Sequence, residues 1–246
     1  MSTPPTTRGA TPYTATRRAA LGTIGALAVT GLVRPTAAQA ASTVRLDGID
    51  VALRAGTRAV VTVNRTSGYR ARVAFWQLRS GRWDVQFLTT DGRIGYGGLV
   101  APASRRQGSG ATPLGTHGLI STFGKWNHQT PWRMPYRRIM PGDFWVQDNA
   151  SGHYNRYRHQ DQGGFRWWLK GADSSERLTD YGAQYEMSVV TDYNYREQVR
   201  HRGSGIFLHV NGSGATAGCV SVPRHVMEAL MLHLEPPQVP LIAIGH

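Results

Sequence analysis

A single cysteine occurs in 246 residues, which excludes an intrachain disulfide and a structural zinc site built on thiolates. Long apolar runs are missing too. The best candidate, AALGTIGALAVTGLV at 19–33, is diluted by Gly and Thr and falls short of the roughly 20 apolar residues that span a bilayer. No serine has a lysine three residues on, and no G-x-S-x-G, H-E-x-x-H or H-x-x-E-H occurs, so the corresponding serine and zinc mechanisms lack their motifs. The nine histidines are scattered, none at metal-ligand spacing backed by a carboxylate, and no metal is expected. After residue 43 there is no linker composition, repeat or low-complexity stretch, so 43–246 reads as one domain.

The composition is basic, with a formal charge of +13 built from twenty-six arginines and only two lysines. No acidic residue occurs before Asp47, and from residue 41 onward the charge is +9. The arginines are spread among acids and no nucleic-acid motif is present, so the charge indicates general attraction to an anionic cell envelope rather than to nucleic acid. Arg17-Arg18, the mild apolar run and Ala38-Gln39-Ala40 make residues 1–40 an expected cleavable export signal of twin-arginine type. No cysteine sits near the cleavage point to carry a lipid anchor. Export puts the thiol in an oxidising compartment, where an unpaired cysteine is either buried as a small hydrophobe or kept for its reactivity.

Short β-prone runs alternate with turn signals: 58–64, 72–78, 83–89, 116–122, 143–148, 185–194, 205–211, 218–223 and 239–245. Only Pro223–Leu234 reads as a clear helix, with Pro223 at its first position and Val226, Leu230 and Leu234 at i, i+4 and i+8. A shorter helix is expected around 174–182, stopped by Gly182. The fold class is therefore mainly β, a sandwich or barrel with one or two short helices.

Chemistry concentrates in GIFLHVNGSGATAGCVSVP at 205–223. Gly212–Ala217 imitates a G-x-G-x-x-A dinucleotide fingerprint, but another strand-like run follows where that fingerprint needs a helix. The spacing instead predicts a hairpin that brings His209 face to face with Cys219. A thiol needs a neighbouring base to become a nucleophile. Gly218 gives a tight turn that exposes the sulfur and leaves backbone N–H groups for an oxyanion.

This segment resembles the YkuD-type L,D-transpeptidase family, whose pattern is a strand-borne His, a loop, then [S/T]-x-G-C and an apolar residue. Thr216-Ala217-Gly218-Cys219-Val220 matches, and Thr112-Pro113-Leu114-Gly115-Thr116 matches the family's T-P-x-G turn. Tyr154-Asn155 and Asp192-Tyr193-Asn194 are similar to segments of an exported, actinobacterial-type branch. The resemblance implies Cys219 as nucleophile and His209 as its base. It also implies an oxyanion hole from the N–H groups of Ala217, Gly218 and Cys219, Thr216 shaping the turn or touching substrate, and no metal or organic cofactor. The implied partners are two peptidoglycan stem peptides, donor and acceptor: a thioester forms at Cys219, D-Ala leaves, and a 3→3 cross-link or hydrolysis follows. Inhibition by carbapenem-type β-lactams is implied as well. Many members have His where this chain has Ala217 and Arg where it has Ser221, so His209 is the only local base, and Ser221 removes a carboxylate-binding cation that one of the scattered arginines could replace. Ser221 stays a candidate substrate contact. The alternatives are a non-catalytic wall-binding protein of the same fold and a general thiol peptidase.

Overall fold

The computed structural model describes residues 42–127 and 131–246; the expected export signal lies outside the described residues. Strands β1 (Thr43–Leu46) and β2 (Ile49–Ala52) form a hairpin turning at Asp47-Gly48, both with positive φ. A meander follows: β3 (Ala59–Ser67), β4 (Arg70–Arg79) and β5 (Arg82–Arg93), antiparallel throughout. The short strands β6 (Leu99–Val100) and β7 (Thr112–Pro113) lead into β8 (Gly115–Gly124), which carries β9 (Tyr136–Arg138) on its flank. Three further strands, β10 (Asp143–Trp145), β11 (Tyr157–His159) and β12 (Glu176–Arg177), make a small separate sheet with β10 in the middle. Then come β13 (Met187–Thr191), β14 (Phe207–Val210), β15 (Val220–Val222), helix α1 (Arg224–His233) and β16 (Leu241–Gly245).

Eight strands close into a ring in the order β13-β14-β15-β5-β4-β3-β16-β8, and β8 pairs back onto β13. This is the mainly β, barrel-like class read from the sequence. The hydrophobic pattern accounts for it. Val61, Val63, Val73 and Phe75 join Leu208, Val210, Val220 and Val222 in the main core, and α1 lays Val226, Met227, Leu230 and Met231 into the same cluster. The opposite face of β3 and β16 (Val60, Leu241, Ala243) is covered by Leu46, Ile49 and Val51 of the hairpin. Strands buried on both faces show continuous apolar runs instead of alternation. A second cluster, with Phe207 at its centre, joins the small sheet to the ring: its ring centroid lies 4.7 Å from Trp145, 5.0 Å from Phe123 and 5.7 Å from Tyr185.

Helix α1 lies where its periodicity placed it, with Pro223 as the residue before the first turn. The helix expected at 174–182 is only a 3₁₀ turn, Leu178–Tyr181, because Leu178 is its one buried residue and a single apolar anchor does not call for a longer element. Leu230 is wholly buried in the main core. Leu230→Ala is expected to cost about 2–5 kcal/mol, read from the urea midpoint at unchanged m-value.

Candidate active site

The predicted hairpin between His209 and Cys219 is not formed. β14 and β15 run parallel, with Leu208 opposite Val220, His209 opposite Ser221 and Val210 opposite Val222. The connecting loop must therefore return before entering β15. It does so beside the end of β5: Thr216 N–H donates to the Ile94 carbonyl (3.1 Å) and Tyr96 N–H to the Thr216 carbonyl (2.9 Å). Arg93 Nη1 donates to the Gly212 carbonyl at 2.6 Å. The parallel pairing still leaves Cys219 and His209 on one side of the sheet. Leu208, Val210, Val220 and Val222 point into the main core, whereas Phe207 and Cys219 belong to the second cluster, and alternation puts His209 on their side.

Cys219 is 7% exposed, and its sulfur is held on two sides. It accepts from the Phe207 N–H (3.3 Å) and donates to the Gly205 carbonyl (3.2 Å). The turn before it is built by hydroxyls. Thr216 Oγ1 donates to the Cys219 carbonyl (2.6 Å) and accepts from the Gly218 N–H (3.2 Å), so Thr216 shapes the turn. Thr112, from the T-P-x-G turn, donates to the Gly218 carbonyl at 2.8 Å. Gly218 has φ +128°, and a Cβ there would lie 2.9 Å from the Ala111 carbonyl oxygen, so the position requires glycine. Its N–H is already engaged by Thr216, which leaves Ala217 and Cys219 as the oxyanion candidates of the expected three. Ser221 is fully buried and donates to Asn211 Oδ1 (2.7 Å). It is absent from the cavity wall, and the expected substrate contact is corrected to an anchor for the start of the loop.

His209 is 4% exposed. Its Nδ1 meets the Val210 carbonyl at 2.8 Å; an acceptor there fixes the proton on Nδ1 and leaves Nε2 free to receive one. Burial pushes the imidazole down to about 4, opposed by the Val210 carbonyl. Burial pushes the Cys219 thiol up to about 12, with the Glu176 carboxylate adding to it and the Phe207 N–H and Arg105 working against it. At neutral pH the resting pair is thus a thiol and a neutral imidazole.

Both side chains line a cavity of about 250 Å³, and of its described lining residues only Arg105 and Glu176 are charged. Arg105 is 4% exposed. It donates through Nε to the Ala111 carbonyl (2.7 Å) and through Nη1 to the Arg202 carbonyl (3.2 Å), and it lies over the Tyr193 ring (5.6 Å). It places a cation in the cavity wall, where Ser221 does not reach. Nothing in the spacing could single it out, because a loop brings it to the turn from 114 positions before Cys219. Glu176 enters from the small sheet and was likewise missed. The Tyr-Asn segments support the wall around the sulfur. Asn155 Oδ1 accepts from the Gly205 N–H (3.0 Å) and its amide donates to the Tyr193 carbonyl (3.0 Å), while Asn194 donates to the Gly203 carbonyl (2.9 Å).

Among the described residues, no group of three or more His, Cys, Asp and Glu is placed to share a metal ion, and no helix is long and apolar enough to cross a membrane. Comparison with curated proteins gives no match. Among solved structures, the chain is similar to a variant of the helical cell shape determining protein Pgp2 from Campylobacter jejuni, at 15% identity and a TM-score of 0.38. That alignment covers 76% of this chain and 46% of that one, so the chain spans less than half of that protein's length. The sequence model of the L,D-transpeptidase catalytic domain, YkuD, matches residues 58–239. The chain belongs to this family, the L,D-transpeptidase catalytic domains.

Proposed function

We propose that the protein is an exported cysteine L,D-transpeptidase acting on peptidoglycan stem peptides. The observation that carries this reading is the shared cavity, which Cys219 and His209 both line together with a buried guanidinium, Arg105. A peptide carbonyl at an L-centre–D-Ala bond enters the cavity. Sγ attacks it while His209 Nε2 takes the thiol proton. Because the pair rests neutral, proton transfer accompanies attack, and no thiolate stands ready beforehand. The N–H groups of Ala217 and Cys219 receive the oxyanion, and Arg105 offsets negative charge gathering near the sulfur. The C–N bond breaks, the imidazolium returns its proton to the departing D-Ala amine, and a thioester remains. The side-chain amine of a second stem, or water, then attacks the same carbonyl. The C–S bond breaks, and His209 passes the nucleophile's proton to sulfur. Arg105 also suits the terminal carboxylate of the donor stem.

The test is to incubate residues 41–246 with a tetrapeptide stem. D-Ala release is expected, with an intact-mass increase of one tripeptidyl group on Cys219, and a carbapenem is expected to acylate the same residue. A protein that sediments with cell walls, forms neither adduct and loses nothing on Cys219→Ala would be a wall-binding module instead.

A further inference from the structure

Among the described residues Glu176 makes no ion pair, although the Arg105 guanidinium of the same cavity acts on it from farther off. Tyr185 donates to Oε2 (2.8 Å) and Gln147 to Oε1 (2.8 Å), both neutral donors, and none of the ion pairs among the described residues includes it. Enclosed carboxylates are ordinarily matched by a cation. Glu176 instead opens onto the cavity that holds Cys219. Its position relative to the sulfur is fixed through Gly205: a Cβ built on Gly205 would lie 3.5 Å from Glu176 Oε1, and the Gly205 carbonyl accepts a hydrogen bond from the Cys219 thiol. A second polar group of the same wall is also unsatisfied among the described residues. Ser204, 5% exposed and on the same cavity wall, has an Oγ that meets no partner.

We infer that Glu176 is the site that takes up the ammonium group of the acceptor stem and strips one proton from it, selecting an amine over water as the nucleophile that resolves the thioester. This rests on the transpeptidase reading for the identity of the acceptor. The proton balance is complete. The acceptor arrives as R–NH₃⁺ and gives one proton to the Glu176 carboxylate, becoming the neutral amine. That amine attacks the thioester carbonyl, forming C–N and breaking C–S. The amide nitrogen keeps one proton, and the other reaches sulfur through His209. Glu176 then loses its proton to solvent.

The surroundings suit this task. Burial holds the Glu176 carboxyl up at about 7, opposed by the Tyr185 and Gln147 hydrogen bonds and by Arg105, so at neutral pH it gives up and accepts a proton with equal ease. The titratable and charged groups around it are Tyr181, Tyr185, Cys219 and Arg105. The cavity also separates the two charges by task, with the guanidinium placed for a substrate carboxylate and the carboxylate for an amine. Among the described residues no second carboxylate lines it to substitute for Glu176.

The test has two arms on the full chain with Glu176→Gln, which is nearly isosteric, and Glu176→Asp, which keeps the charge. In the first arm, n-butylammonium and n-butanol are compared as protectors of Cys219 against iodoacetamide. The wild type is expected to be protected by the ammonium at concentrations at least about tenfold lower than the alcohol requires, with the difference lost in Glu176→Gln and partly kept in Glu176→Asp. In the second arm, the ratio of cross-linked dimer to hydrolysed tripeptide is followed from pH 5.5 to 8.5. It is expected to fall at least about tenfold in Glu176→Gln and to lose its inflection near neutrality. Equal protection by the two probes, or a product ratio unchanged in Glu176→Gln, overturns the inference. So does a variant that slows D-Ala release while leaving the ratio intact, because the carboxyl would then serve the leaving amine. If the wild type releases no D-Ala yet the ammonium preference holds, the transpeptidase reading falls and the cation site stands.

Discussion

Cys219→Ser is expected to lower stem-peptide acylation by at least about 10³-fold while leaving the melting temperature nearly unchanged. The substitution is close to isosteric. A serine hydroxyl in that place still accepts from the Phe207 N–H and donates to the Gly205 carbonyl, the two contacts that hold the sulfur. What it loses is nucleophilicity. His209 is held near 4 by burial and is a weak base, adequate for a thiol that the oxyanion donors and Arg105 help to ionise during attack, and inadequate for an alcohol. D-Ala release and calorimetry on the same sample separate chemistry from folding. A Cys219→Ser protein with full turnover would rule out the thioester.

His209→Gln is expected to reduce acylation by about 10²–10⁴-fold and also to change how stability depends on pH. Folding holds the imidazole near 4, against an unfolded value of 6.5. Its contribution is therefore fully present above pH 6.5 and is lost as pH falls toward 4, amounting to about 3 kcal/mol. Glu176 works in the opposite sense. Its folded value of about 7 lies above the unfolded 4.5, so its contribution is present below pH 4.5 and is lost as pH rises through 7, again by about 3 kcal/mol. In the wild type the two slopes nearly cancel between pH 4.5 and 6.5. Removing His209 leaves the Glu176 slope exposed, so relative to wild type His209→Gln gains stability as the pH falls through that window, and Glu176→Gln loses it. His117 is also held low by burial, but its contribution is common to all three proteins and drops out of the comparison. Urea unfolding at pH 4.5, 5.5 and 6.5 checks both signs, and parallel curves for the three proteins would contradict the opposed burial of the two groups.

The site was legible in the sequence to the extent that its chemistry is local. A lone thiol, a histidine ten positions earlier and a Gly-rich approach made Cys219 and His209 candidates, and the family resemblance gave them their expected roles. Strand direction is different. The return of the 211–219 loop is imposed by Arg93 reaching Gly212 across 119 positions and by Thr112 reaching Gly218 across 106, and no local spacing encodes such contacts. Arg105 and Glu176 were missed for the same reason. Each arrives from a different loop or sheet and gains meaning only from its neighbours in the cavity. Helix α1 was legible because its apolar positions repeat over three turns, and the 174–182 segment was over-read because a stop signal at Gly182 was not matched by an apolar face, Leu178 being its one buried residue. The alternating and continuous apolar runs gave the strands and the barrel-like class. The two parallel pairs within the eight-strand ring, β14 with β15 and β16 with β3, lay beyond the reach of that pattern.

The position of β16 between β3 and β8 constrains when the protein can fold. Until residues 241–245 have been synthesised, both flanking strands keep a bare backbone edge and the eight-strand ring has a gap. A nascent chain that already contains Cys219 and His209 therefore cannot close the ring that positions them. Assembly of the site waits for these late residues to leave the ribosome, and a chain cut before Leu241 presents two adhesive edges to its neighbours. Leu241–Gly245 serves as the clasp of the structure, and its loss would convert a closed ring into an aggregate.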